Sequence, residues 1–417
     1  MPEAHKAERR RVFVTGVGLV SPHGGDPNEV FDRLYAGESA IRKLRSGTAE
    51  LGADVLLAPV EFDHGGLIPK GQLFTMDRVA QMAAVGAGRA LKASGLLSDG
   101  RGPANAGVYI GCGLGGSNSI QDAYRTYFQR YSRKLKPTSV PLIMANAPAS
   151  HISMLYAITG PSLTYSIACS SSAMAIGEAF RAIRDGYLES ALAGGAESML
   201  NDGTIAAWEG LGVLAKEHPD GPAASSRPFA KDRSGFILGE GSAALMLEAA
   251  DAMHARGAQP LAEVVGFGTS SDAHNLTQPA IDGQVRAMRA ALADARLEPE
   301  AIGYINAHAT ATLAGDKIEM DAIKKTFGEH ARRLAVSGTK SMHGHLVGAA
   351  GALEFAITVL ALKKSRLPPT ANLTVPDPDC DLDCVPCTGR AAPHLEYALS
   401  NSFAFGGSNA VLIARRA

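Results

Sequence analysis

Three residues of this chain, Cys169, His308 and His345, have the side chains and local settings that nucleophilic catalysis requires. Cys169 follows an apolar run at residues 163–167 and precedes a helical pattern that begins with small residues. The positive end of a helix dipole favours the thiolate, which is the nucleophilic form of cysteine. Each residue also has an ordinary structural interpretation, because a cysteine is often a small buried hydrophobe and a single histidine often makes only structural hydrogen bonds.

The rest of the chain alternates apolar runs with helical patterns, which predicts α/β layers. The sequence Val-Thr-Gly-Val-Gly at residues 14–18 is matched by Val-Val-Gly-Phe-Gly at residues 264–268. Strand patterns that precede Gly111 and Cys169 recur, in the same order, before His308 and Lys340. We therefore predict a duplicated α/β unit with an N-terminal domain at residues 1–255 and a C-terminal domain at residues 256–417. Two such halves would form one site at their seam.

The composition is that of an ordinary globular protein with a large core. Of the 417 residues, 46% are hydrophobic and 19% are charged, and 40 basic residues balance 41 acidic ones. This balance disfavours a general role in binding nucleic acid or anionic membranes. The N-terminus lacks the apolar stretch of a signal peptide, and no apolar run is long enough to span a bilayer. Five cysteines do not make a disulfide framework, so we expect a cytoplasmic protein.

Two motifs suggest cofactors that the surrounding sequence does not support. Residues 111–116 fit the pattern G-x-G-x-x-G after a strand, but residues 117–120 do not clearly open the helix that dinucleotide binding needs. These glycines are interpreted instead as a close approach of the backbone to a pocket. Cys380, Cys384 and Cys387, with His394 nearby, lack the second tight ligand pair of a zinc site. We therefore predict no metal and no dinucleotide.

Taken together, five segments resemble those of the β-ketoacyl-acyl carrier protein synthases. They occur in the order found in that family and extend over nearly the whole chain. The likeness is greatest to the elongating enzymes of the bacterial synthase II type, and the matching segments are residues 167–171, 226–236, 306–319, 340–351 and 401–409. The resemblance implies a thiolase-like fold in a layered α-β-α-β-α arrangement. It also implies a homodimer, although a heterodimer with a ketosynthase-like partner stays open.

The resemblance further implies a role for each matching residue. Cys169 would take an acyl group from acyl carrier protein as a thioester, and His308 and His345 would hold the enolate that malonyl decarboxylation leaves. Lys340 would bias the electrostatics around the histidines. The other implied roles are the oxyanion hole and acyl gate at Phe405, the pantetheine contacts at Thr310 and Thr312, and the acyl pocket at Leu114. No separate cofactor is implied, because phosphopantetheine of the carrier protein holds the substrates.

Three related classes of protein are less consistent with these residues. Synthases that start fatty-acid chains use Cys-His-Asn, whereas the third position here is His345. Thiolases use a second cysteine near the C-terminus, and residues 401–409 contain none. Non-catalytic chain-length partners lack the nucleophile, whereas this chain retains Cys169. The non-catalytic partner is the main alternative to an enzyme that extends fatty acids or fatty-acid-like polyketide or polyene chains.

Four residues depart from the family pattern without removing a reactive group. Ala309 and Ala404 stand where glycine is common, Ala311 where serine is common, and Ser234 where aspartate is frequent. These changes predict a divergent paralogue that makes a specialised chain. Ala404 is further predicted to stiffen the gate, because alanine restricts the positive φ angles that glycine reaches.

Overall fold

The structure, a computed structural model, describes residues 9–46 and 52–417. The strands are β1 (Val12–Val20), β2 (Arg42–Ser46), β3 (Ala53–Ala58), β4 (Gly107–Gly111), β5 (Ser162–Tyr165), β6 (Ser190–Glu197), β7 (Leu238–Gly239), β8 (Gly241–Ala249), β9 (Ala262–Ser271), β10 (Ile302–Asn306), β11 (Ala335–Ser337), β12 (Arg366–Leu367), β13 (Arg390–Ala391), β14 (Tyr397–Phe403) and β15 (Ser408–Arg416). The helices are α1 (Pro27–Tyr35), α2 (Arg78–Ala93), α3 (Ser117–Gln129), α4 (Ser139–Ile143), α5 (Ala147–Leu155), α6 (Ser171–Arg184), α7 (Asp202–Gly210), α8 (Ala250–Ala255), α9 (Ile281–Ala295), α10 (Leu313–Phe327), α11 (Lys340–His343) and α12 (Ala350–Lys364).

Ten strands form one hydrogen-bonded sheet that consists of two equivalent halves. From the middle outwards, one half runs β1-β8-β6-β4-β5 and the other runs β9-β15-β14-β10-β11. In both halves the two inner pairings are antiparallel and the two outer pairings are parallel. The antiparallel pair β1–β9 joins the halves. The strand order confirms the duplicated α/β plan that the sequence repeats predicted, whereas the exact domain boundary at residue 255 stays a prediction.

Helices cover both faces of each half-sheet. Helices α6 and α12 lie between the halves, so both are buried, whereas α2 covers the outer face of one half and α9 and α10 lie outside the other. Small residues permit this close central packing, since a Cβ at Gly177 would meet the ring of Phe267 and one at Gly351 would meet Ala173. The result is the α-β-α-β-α layering that the sequence predicted.

The candidate site residues follow the carboxyl ends of the outer strands. Cys169 comes shortly after β5, His308 after β10, Lys340 after β11 and Phe405 after β14. Because β10, β11 and β14 are parallel neighbours, their carboxyl ends meet at one edge of the sheet. This is where ligands bind in open α/β sheets. The duplicated topology brings the equivalent end of β5 to the same place.

One prediction about the glycine-rich turn was wrong. Helix α3 begins at Ser117, directly after residues 111–116, although the sequence seemed not to open a helix there. The turn nevertheless holds a carboxylate of the protein itself. The N–H groups of Gly113 and Leu114 donate to Glu197 at 2.8 and 3.3 Å, and Gly348 donates to the same carboxylate at 3.1 Å. A phosphate would have to displace this buried side chain from the amides of Gly113 and Leu114.

The three cysteines near the C-terminus differ in their surroundings. Cys380 and Cys384 are buried among apolar residues of the second half, and Cys387 Sγ donates to the carbonyl oxygen of Leu373 at 3.3 Å. Burial raises the pKa of the Cys380 thiol to about 12 and that of the Cys384 thiol well above its usual value. In the part of the chain that the structure describes, no helix has the length and apolar character needed to cross a membrane.

Candidate active site

Cys169 lies in a short 3-10 turn, Ala168–Ser170, immediately before α6. Ala168 has φ of +48°, an uncommon conformation for a residue with a side chain. Such strain is tolerated where the surrounding structure holds it, and it is frequent at functional sites. The turn directs the thiol into a cavity that also contains His308 and His345.

The protonation state of Cys169 differs from the sequence-based expectation. Burial raises the pKa of the thiol to about 11, against the opposing effects of the Lys340 charge and of backbone amides at Phe405 and at Cys169 itself. The desolvation of a buried thiolate therefore outweighs the helix N-terminus that was expected to favour the thiolate. Near neutral pH, Cys169 is therefore the neutral thiol rather than the thiolate.

His345 is neutral and presents an N–H group to the thiol. Burial is the larger cause, and the charge of Lys340 the second, that holds the pKa of His345 well below its usual range. Its Nδ1 accepts a hydrogen bond from the Val347 N–H at 3.3 Å, which leaves the proton of the neutral ring on Nε2. Nε2 lies 3.1 Å from Cys169 Sγ. His345 is therefore a hydrogen-bond donor to the site rather than a general base.

His308 is also neutral, and its Nδ1 accepts a hydrogen bond from a different donor, Lys340. Burial, followed by the charge of Lys340, lowers its pKa well below the usual range. Lys340 Nζ lies 3.3 Å from His308 Nδ1 and donates to the His308 carbonyl oxygen at 2.6 Å. A lysine ammonium has only donors, so Nδ1 accepts and Nε2 carries the ring proton. The two imidazole rings stand edge to face with centroids 5.4 Å apart.

Lys340 is buried against a carboxylate that the sequence motifs of the site do not include. Its ammonium forms an ion pair with Glu354, which is fully buried on α12. Burial raises the pKa of Glu354 to about 7, although Lys340 opposes the shift. The signal was a charged residue inside an otherwise apolar helix, because a buried charge requires a partner.

A second buried carboxylate, Glu319, fixes the turn that carries His308. Its two oxygens accept the N–H groups of His308 and Ala309, each at 2.8 Å, and Asn401 donates to it at 2.9 Å. Ala309 has φ of +40°, so the left-handed conformation is present although glycine is absent. Three hydrogen bonds to one side chain explain how this turn holds its shape.

The cavity brings together most of the predicted site residues. It is lined by Cys169, both histidines, Thr310, Thr312 and Phe405. Thr310 and Thr312 contact each other through their hydroxyls at 3.1 Å, and Thr312 also caps α10. Leu114 does not line this cavity and has a half-exposed side chain, 51% accessible. The cavity of the single chain therefore does not extend to Leu114, and its role in an acyl pocket stays a prediction.

The gate loop between β14 and β15 does not bend at the residue that the sequence suggested. Within the loop, positive φ angles occur at Gly406 and Gly407, at +85° and +74°, and not at Ala404. Ala404 instead packs against the apolar cluster beside Cys169. The positive φ angles of this loop thus belong to its glycines, and Ala404 adopts a backbone conformation open to any residue.

Cys169, His308 and His345 also form the one cysteine–histidine group of the described residues whose ligand atoms, within 4.8 Å of one another, could hold a metal. The ammonium of Lys340 lies against His308, so a bound cation would meet a positive charge at short range. Two neutral imidazoles beside a thiol, one with Nε2 3.1 Å from the sulfur, suit the stabilisation of a developing oxyanion better than metal binding.

Comparison with known proteins decides the family. The model of the beta-ketoacyl synthase N-terminal domain matches residues 9–252, and that of the C-terminal domain matches residues 261–374. The chain belongs to the beta-ketoacyl synthase family. It is 40% identical over 412 residues to nodulation protein E of Rhizobium sp. (strain N33), covering 98% of this chain and 99% of the relative.

Two further comparisons extend over the same length. The synthase is 36% identical over 413 residues to 3-oxoacyl-[acyl-carrier-protein] synthase 2 of Staphylococcus aureus (strain N315), again covering 98% and 99% of the two chains. The solved structure of the ishigamide ketosynthase/chain length factor matches with a TM-score of 0.91 at 34% identity, covering 98% of this chain and 100% of that one. The thiolase-like fold predicted from the sequence is confirmed.

These relationships establish the class of reaction. The protein is an acyltransferase of the 3-oxoacyl-[acyl carrier protein] synthase type, which elongates acyl chains by Claisen condensation, as the sequence predicted. The alternative of a non-catalytic chain-length partner is not favoured. The presence of Cys169 beside His308 and His345 agrees with this conclusion.

The raised pKa of Cys169 predicts how its reactivity depends on pH. Below the pKa the thiolate fraction rises roughly tenfold per pH unit, so alkylation by iodoacetamide should accelerate by about that factor per unit between pH 7 and pH 9. Site-resolved mass spectrometry would measure the rate at Cys169, with the exposed Cys387 as internal control. A rate at Cys169 that is already constant above pH 7 would contradict the neutral resting thiol.

Proposed function

We propose that this synthase holds its acyl group as a thioester on Cys169 and condenses it with malonyl-acyl carrier protein. The observation that carries the proposal is the pair of neutral imidazoles, His308 and His345, each with Nδ1 accepting a hydrogen bond and a protonated Nε2 in the cavity. Two such donors can hold an enolate without protonating its carbon.

In the first step, Cys169 Sγ attacks the carbonyl carbon of the acyl thioester. Negative charge develops on the carbonyl oxygen, and the amides of Cys169 and Phe405, which face the sulfur, are in place to donate to it. The carbon–sulfur bond to the carrier then breaks. The departing carrier sulfur takes up a proton to replace the one lost by the thiol, so one thioester replaces another.

In the second step, the malonyl thioester loses carbon dioxide. The bond between its carboxylate and its methylene carbon breaks, and the electron pair forms an enolate whose oxygen accepts from His308 and His345. The enolate carbon then bonds to the acyl carbon, and the bond from that carbon to Cys169 Sγ breaks. The product is a 3-oxoacyl group on the carrier, and a proton restores the thiol.

Binding of the carrier's phosphopantetheine arm is proposed at Thr310 and Thr312. Both line the cavity, and their hydroxyls provide donors and acceptors for the amides of the arm. The arm brings each thioester to Cys169, so no other cofactor is needed in this scheme. Lys340, paired with Glu354, would keep His308 neutral and correctly oriented.

Incubation with acyl-acyl carrier protein tests the assignment of the nucleophile. The intact protein should gain the mass of one acyl group, and peptide mapping should place it on Cys169. The four other cysteines serve as internal references, because three are buried outside the cavity and Cys387 is exposed. Acylation of another cysteine with Cys169 free would refute the proposal.

A homodimer is proposed from the apolar surface around β5. This strand lies at the end of the sheet with an open edge, and Leu163 on it is exposed. Neighbouring helices expose further large apolar side chains, namely Tyr124, Tyr127, Phe128, Val140 and Met154. Exposed strand edges and apolar patches mark association surfaces. A monomeric mass by light scattering would contradict the homodimer. The heterodimer would be supported only if a different ketosynthase-like subunit is found to cover this face.

The pathway of this synthase is proposed to be a specialised one, in fatty-acid-like or polyketide chain formation. The support is the set of alanines at positions 309, 311 and 404, of which Ala309 and Ala404 line the cavity, while the reactive groups remain. The cytoplasmic location expected from the sequence stays a prediction.

A further inference from the structure

Trp208 is the single tryptophan of the chain, and its position relates it to the gate of the active site. It lies on α7, a helix of which Ile205 alone is buried. Its indole is half-buried and lines the cavity that contains Cys169. A large aromatic side chain on an otherwise exposed helix therefore faces the catalytic cavity.

The indole connects the gate to the catalytic histidine through a series of rings. It stacks on Phe405 with centroids 6.1 Å apart and an interplanar angle of 27°. The indole also meets Phe236 edge to face at 5.5 Å, and Phe236 in turn stands edge to face with His345 at 5.3 Å. Trp208 is the one aromatic side chain of the described residues in ring contact with Phe405.

The backbone of the gate loop is held separately from the ring of Phe405. Gly406 donates to the carbonyl oxygen of Leu276 at 2.7 Å, and Asp272 donates to that of Gly407 at 2.8 Å. These bonds position the loop, and with it the Phe405 amide that faces Cys169 Sγ. The contact with Trp208 positions the Phe405 side chain, which closes the cavity wall.

We propose that Trp208 is the latch of the acyl gate and selects which acyl chains reach Cys169. For a chain to load, the Phe405 ring must leave the indole, so the stacking contact opposes opening. A stacked aromatic pair changes such an equilibrium by about two- to tenfold. This inference rests on the proposed role of Cys169, and it adds a specificity-determining residue that the sequence analysis did not identify.

Single-turnover acylation of Cys169 across a chain-length series, followed by intact mass, tests the latch. W208A should speed the loading of the slowest chains by about two- to tenfold and leave the fastest chains nearly unchanged. W208F, which keeps a ring against Phe405, should restore most of the discrimination. E209A, on the same helix but outside this cavity, is the matched control and should keep the wild-type profile.

A second measurement does not depend on turnover. Because Trp208 is the single tryptophan, its emission should shift when Cys169 is stoichiometrically acylated, and F405L should show the shifted emission before acylation. The rates for the double variant W208A/F405L should equal those of F405L alone, since both changes remove one contact.

Three results would each overturn the latch while Cys169 keeps its role. They are superimposable rate profiles for wild type and W208A, additive effects of the two changes in the double variant, and unchanged tryptophan emission on full acylation. A protein that never becomes acylated at Cys169 would instead contradict the proposed function, and the latch with it.

Discussion

The variant Cys169→Gln should lose condensation activity by a factor on the order of 10⁴ to 10⁶, the range found when a catalytic nucleophile is removed. The thiol is the atom that would carry the acyl group, and no other cysteine lines the cavity. Decarboxylation of malonyl-acyl carrier protein should persist, because His308 and His345 remain in place to hold the enolate. Release of carbon dioxide and formation of the 3-oxoacyl product would be measured separately.

Cys387→Ser is the matched control, because it removes a thiol at the surface. It should retain both activities. Condensation by Cys169→Gln at a rate near that of the wild type would show that the acyl group is held elsewhere. Loss of both activities with an unchanged circular dichroism spectrum would show that the thiol also takes part in decarboxylation, which contradicts the division of roles proposed above.

The variants His308→Ala and His345→Ala should each slow malonyl decarboxylation by on the order of 10² to 10³, the cost of losing one donor to a developing oxyanion. Acyl loading should fall much less, because the amides of Cys169 and Phe405 serve that step. The measurements are carbon dioxide release from malonyl-acyl carrier protein and single-turnover acylation of Cys169, made on the same preparations.

A buried histidine outside the cavity provides the comparison. His343 lies two residues before His345, and its ring nitrogens bond to the Gly344 carbonyl oxygen at 2.8 Å and the Thr339 hydroxyl at 3.0 Å. His343→Gln should therefore decarboxylate at nearly the wild-type rate. The proposal fails if His345→Ala loads acyl groups poorly but decarboxylates normally.

Much of the fold was predictable because its signals are local. Apolar runs and helical spacing indicated α/β layers, and the matched segments at residues 14–18 and 264–268 indicated the duplication. In the structure these segments lie within β1 and β9, the first strand of each half. The start of α3 at Ser117 was missed because the N-cap residue, Gly116, has no side chain that could cap the helix, so the usual sequence signal of a helix start is absent.

The sequence predicted most of the residues that line the cavity, but it did not predict their protonation states. Cys169 and His345 are separated by 176 positions, and their contact at 3.1 Å follows from the meeting of two half-sheets. The helix that follows Cys169 suggested a thiolate, whereas the thiol pKa is set by burial. Desolvation depends on every group around the sulfur, so no local pattern contains it.

The sequence by itself determined the family and the reaction class, because these depend on residue type and order, and it supplied the candidates for the reactive side chains. The tertiary structure alone decided which nitrogen of each histidine bears the proton, how Lys340 is paired with Glu354, that Leu114 lies outside the cavity, and that Trp208 contacts Phe405. The contact of Lys340 with His308 and that of Trp208 with Phe405 depend on distances between segments far apart in the chain, whereas the partner of His345 Nδ1 is two residues away. Such distances are set by the packing of helices and sheets rather than by neighbouring residues.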